Sequence, residues 1–185
     1  MTNTIANTNP EPTISLLRLK AATAPKLGQN AGGSIHYEVL ADTARQVLLL
    51  RLTRNESGGN FSPEAVPLSR VQAVADALPP GSPVPSRVFR SCYRGRSQNN
   101  QGFLCCLLRA EGLLGPVEGK LYQHHVTGDW PAWAADMLRQ PGELAELPGP
   151  LLADILPLDT PAPGLPRRGR GRTRHDEADD ACPAH

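Results

Sequence analysis

From Ser34 onward, apolar and polar positions alternate with a period of two: Ile35, Tyr37, Val39 and Ala41 interleave with His36, Glu38 and Leu40. Successive side chains of an extended chain point to opposite faces, so this spacing predicts a half-buried strand. After the polar turn Asp42-Thr43-Ala44-Arg45, residues Val47 to Thr53 predict its antiparallel partner, with Leu48, Leu50 and Leu52 on the core face. Asn55 to Asn60 is turn chemistry, and Ser62-Pro63-Glu64 reads as a one-turn helix start with proline at the first helical position. The period then becomes helical. Ser69 and Gln72 form a capping box with Leu68 as its staple, Val71, Val74, Ala75 and Leu78 share a face, and Pro79-Pro80 ends the helix.

A short extended piece, Val84 to Phe89, and a loop, Arg90 to Gln98, lead to Phe103, Leu104, Leu107 and Leu108. Their spacing predicts a helix over 100–111, with Asn99 or Asn100 as cap and Gly112 at the left-handed C-terminal position. Lys120 to Thr127 predicts a strand. Asp129 then caps a helix carrying Trp130, Trp133, Ala134, Met137 and Leu138 on one stripe, halted by Pro141-Gly142. Upstream of Ser34, only Ile14 to Leu19 has the apolar content to dock, as a short strand or a turn of helix. The expected organisation is a flexible arm over 1–33, a single domain over 34–140, a loosely packed apolar extension over 141–159 and a disordered tail over 160–185. The fold class is α+β: a small antiparallel sheet packed with about three helices. The order helix, helix, strand over 69–127 is winged-helix-like, with the second helix as reader, although the intervening stretch exceeds a usual helix-turn-helix turn.

Composition changes this picture in two ways. With Lys+Arg 19 against Asp+Glu 18, the net charge of +1 provides no global field for an anionic partner, so local clusters decide. With 4% aromatic residues the core is aliphatic, and the 19 prolines and 17 glycines leave part of the chain without structure. No apolar run approaches 18 residues and the N-terminus lacks a signal pattern, which implies no membrane span and a cytoplasmic protein. The four cysteines show no C-x-x-C spacing, and Cys105 and Cys106 read as small buried hydrophobes.

The candidate chemistry centres on Val84 to Leu108, which holds Arg87, Arg90, Arg94 and Arg96 and no Asp or Glu. With Gln98, Asn99 and Asn100 directly before a helix, these guanidinium groups face bare N-terminal amides, the makings of an anion site. Phosphates of nucleic acid suit it, as would an acidic protein surface; a plain solubilising loop is the bland alternative. Five arginines in Arg167–Arg174, followed by Asp176, Glu177, Asp179 and Asp180, form a weaker candidate arm. His124-His125 on one strand point to opposite faces and do not share a metal. No catalytic or cofactor fingerprint occurs, so the expected function is non-enzymatic and without cofactor.

The string Tyr93-Arg94-Gly95-Arg96-Ser97-Gln98-Asn99-Asn100-Gln101-Gly102-Phe103, together with Leu108-Arg109-Ala110-Glu111-Gly112-Leu113-Leu114, resembles small uncharacterised accessory proteins of bacterial integrative and conjugative elements. The resemblance implies a bacterial cytoplasmic accessory role in maintenance or transfer of a mobile element. The sequence therefore leads to a DNA- or RNA-binding accessory protein, with a protein-interaction adaptor or inhibitor as the alternative.

Overall fold

The computed structural model describes residues 13–28, 32–95 and 97–152. Its strands are β1 (Thr13–Pro25), β2 (Ser34–Asp42), β3 (Leu48–Asn55), β4 (Ala65–Pro67), β5 (Val84–Pro85), β6 (Leu114–Val117), β7 (Lys120–Val126) and β8 (Glu143–Pro148). The helices are α1 (Leu68–Asp76), α2 (Asn100–Ala110) and α3 (Trp130–Arg139), with 3-10 turns at Ser86–Cys92 and Gly149–Leu152. The class is α+β.

The hairpin of β2 and β3 forms with Val39 opposite Leu50 and Ala41 opposite Leu48. Asp42 closes its turn, Oδ1 accepting the N–H groups of Gln46 and Val47 at 2.6 Å each. The domain starts well before residue 34, however. β1 pairs with β2 on one side and β8 on the other, giving an antiparallel sheet in the order β4-β3-β2-β1-β8. The arm expected over 1–33 is thus a central strand from Thr13. The extension expected over 141–159 contributes an edge strand. A β-bulge between Arg18 and Lys20 shifts the register of β1, and Ala21, Ala22 and Ala24 carry little apolar signal, so its alternation is hidden in the sequence. The Arg/Gly and acidic tail lies outside the described residues.

One face of the large sheet is covered by the helices over a core that includes Tyr37, Val39, Leu50, Val71, Phe89, Leu104, Leu107, Leu108 and Trp130. The other face carries a small apolar cluster of Leu16, Leu40, Leu49, Ala65 and Leu147. Beside it runs a ladder of ion pairs in which Arg18 meets Glu143 and Glu38, and Arg51 meets Glu38 at 3.2 Å.

α2 ends as the sequence predicts. Gly112 takes φ +73°, Leu113 N–H bonds the Leu108 carbonyl at 2.9 Å and Gly112 N–H that of Arg109 at 3.1 Å, a Schellman cap. α3 likewise starts on Asp129, whose Oδ1 accepts from Ala132 N–H at 2.9 Å. Two local expectations fail. The Ser69 capping box does not form, because α1 begins directly from Pro67 with Leu68 already in the core. Ser62-Pro63-Glu64 is not helical, because these residues are drawn into loop contacts described below.

β5, β7 and β6 form a second sheet in that order, and residues 68–126 run helix, strand, 3-10 turn, helix, hairpin, where helix, helix, strand was expected. The reader role for α2 does not survive. Asn100, Leu104, Cys105, Cys106, Leu107 and Leu108 are all buried, since α2 packs on the large sheet, and the partly exposed Gln101, Gly102, Phe103 and Arg109 line clefts instead of projecting from the surface.

Candidate functional site

The 3-10 turn Ser86–Cys92 replaces the extended piece and part of the loop expected from sequence. At three residues per turn, i and i+3 eclipse, so the exposed Arg87 and Arg90 stand on one side of it. Arg94 is placed differently. Here the fold brings in a carboxylate: Glu64 accepts the N–H groups of Arg94 and Gly95 at 2.8 Å each, and the Ser62 hydroxyl. Burial alone would raise the Glu64 carboxyl, but these donors and the charge of Arg94 outweigh it and hold its pKa below the ordinary carboxylate value. The loop amides thus bind an anion that the chain itself supplies. Gly95 is required there, since a Cβ would lie 2.6 Å from Glu64 Oε1 and 2.9 Å from Ser62 Cβ.

Asn100, expected to reach a ligand, is 1% exposed. Its Oδ1 accepts from Ser62 N–H at 2.8 Å and its Nδ2 donates to the Ser62 carbonyl at 2.9 Å, imitating a backbone pair that holds the 60–64 loop. Asn99 Nδ2 donates to the Asn60 carbonyl at 2.9 Å instead of capping α2, and no side chain caps that helix start. Arg96 lies outside the described residues.

What the fold does assemble is a cleft of about 390 Å³ where the end of β1, the 3-10 turn, the start of α2 and β7 converge. Arg87, Gln98 and Asn99 line it, joined by Lys26, Gln101, Phe103 and Tyr122. Lys26 Nζ sits 5.9 Å from the Phe103 ring centroid, a cation–π distance. Tyr122 is 59% exposed. No carboxylate lines the cleft among the described residues. Of the seven residues predicted from sequence, then, three share this cleft, Arg90 on the 3-10 turn and Arg94 in the loop after it are not among its lining, Asn100 is structural and Arg96 is not placed.

Comparisons with family models, with characterised proteins and with solved structures give no match. The functional reading rests on the chemistry of this chain alone.

Sequence reasoning missed Lys26, Gln101, Phe103 and Tyr122 as site residues. Lys26 fell in the supposed arm, and Tyr122 is brought over by the β6–β7 hairpin, a juxtaposition that no local spacing encodes. Beneath the cleft lies a buried polar pair. Ser86 Oγ and His124 Nε2 are 2.8 Å apart, and Ser86 Oγ also donates to the Tyr122 carbonyl at 3.3 Å. Burial, and secondarily the charge of Arg109, lowers the His124 pKa to about 4, so the imidazole is neutral. Its Nδ1 has no partner among the described residues. His125 is exposed, so the two histidines divide between faces as expected. Cys92, Cys105 and Cys106 are free and buried, and burial raises the Cys105 thiol to about 12, which leaves it unreactive.

No described helix is long and apolar enough to cross a membrane.

Proposed function

We propose that this chain is a non-enzymatic nucleic-acid-binding accessory protein that holds a phosphodiester backbone at Lys26 and Arg87, beside the uncapped start of α2. The observation that carries this reading is the cleft itself: two cations and two aromatic rings share it with the amides of Gln98, Asn99 and Gln101. Cations neutralise phosphate, aromatic faces stack bases, and both serve one ligand class. The cytoplasmic, reducing setting and the mobile-element role belong to the same reading, and three buried free thiols are compatible with it. In the adaptor alternative an acidic protein surface meets the same cations, and the aromatic walls of the cleft have no part to play.

The test is fluorescence anisotropy of labelled DNA with the full chain at about 50 and 200 mM salt. The expected result is binding that weakens with salt, and that weakens alike for all sequences when Lys26 and Arg87 are both changed to Gln. Absence of binding at the lower salt would remove the proposal and leave the adaptor.

A further inference from the structure

The cleft does not end at Phe103. It shares Lys26, Leu27 and Cys106 with a second cleft of about 390 Å³, which adds Arg109 and Leu121. That one in turn shares Arg109 and Leu121 with a third of about 240 Å³, which adds Lys120. The three form one groove along α2, whose eleven residues at 1.5 Å rise span about 16 Å. Arg87, Lys26, Arg109 and Lys120 succeed one another along it, and no Asp or Glu lines any part of it among the described residues. None of the four forms an ion pair with a described carboxylate. Lys26, Cys106 and Arg109 line the second cleft together.

We infer that this groove takes a single unpaired strand, its phosphates following Arg87, Lys26, Arg109 and Lys120, with one base lodged against Phe103 and Tyr122. This rests on the nucleic-acid reading above and narrows it to unpaired strands. A paired base is stacked within its duplex and cannot enter a concave site, whereas an unpaired one can leave its neighbours at modest cost. Gln101 Nε2 donates to the Gln98 carbonyl at 2.6 Å, which fixes this side chain in the cleft wall. Sequence preference is weak in such a site, because every base has a π-face and the cations read only phosphate.

The experiment compares a single-stranded 12-mer of mixed sequence, as DNA and as RNA, with the corresponding DNA duplex, using the full chain. The single strands are expected to bind at least tenfold tighter than the duplex. Tyr122→Ala should cost the single strand about 5- to 150-fold, the range for one stacked base, and leave the duplex unchanged. Arg109→Gln and Lys120→Gln should each reduce the slope of log affinity against log salt by about 0.7, the increment per single-strand phosphate contact. Tyr122 and Lys120 are exposed, so thermal melting should show both variants as folded as the parent. Equal or tighter duplex binding, or indifference of the single strand to Tyr122→Ala, would overturn the inference while leaving nucleic-acid binding intact. Failure of every oligonucleotide to bind would remove both.

Discussion

His124 shows how one residue couples the site to stability. It has no exposed surface, and its folded pKa of about 4 lies below the 6.5 of a free imidazole. As pH falls from 6.5 toward 4, the unfolded chain takes up a proton that the native state refuses, so stability is lost across that window and is fully present above it. The expected loss between pH 7 and pH 5 is on the order of 2 kcal/mol, read by urea unfolding. His124→Gln should flatten the profile over that interval, and an unchanged profile would contradict the assignment. Glu56 and Glu64, both with lowered pKa values, lose their contributions at lower pH, below the ordinary carboxylate range, so the two effects separate. The split of His124 and His125 between faces was legible from strand periodicity. The fate of Arg94 and Asn100 was not, because Glu64 and Ser62 are some thirty to forty positions away and only tertiary structure brings them to the loop.

At the scale of elements, Glu111 is the joint. It follows α2, its side chain is 3% exposed, and it accepts from Lys20 on β1 at 2.8 Å, from the Tyr37 hydroxyl on β2 and from Trp133 Nε1 on α3 at 3.0 Å. A buried carboxylate of this kind is tolerated because every donor around it is used. Glu111→Ala strands the Tyr37 and Trp133 donors and should destabilise by about 3 kcal/mol, seen as a lower denaturation midpoint with the denaturant slope unchanged. Less than about 1 kcal/mol would mean that α3 is held by apolar packing alone. The helices α2 and α3, with their caps at Gly112 and Asp129, could be read from the chain because those signals are local. Of β1 only Ile14 to Leu19 was legible, as a short strand or a turn of helix, since a bulge breaks the periodicity beyond it; β8 was not, because its pairing with β1 joins residues more than a hundred positions apart.

Over the whole molecule, a net charge of +1 conceals an uneven distribution. Glu38 and Glu143 pair with Arg18 and Arg51 on the open sheet face, Glu111 takes Lys20, Glu56 takes His36 at 2.9 Å and Glu64 takes the loop amides. With these acids engaged elsewhere, the lining of the groove along α2 holds Lys26, Arg87, Arg109 and Lys120 and no carboxylate among the described residues. Local positive potential, not the sum of charges, is what recruits a polyanion. The most direct test is amide chemical-shift mapping on the isotope-labelled full chain as a single-stranded 12-mer is added. The groove predicts the largest shifts at residues 26–28, 87, 98–103, 109 and 119–122. Shifts confined to Arg94, to the arginine–glycine run at 167–174 or to the open face of the large sheet would contradict it.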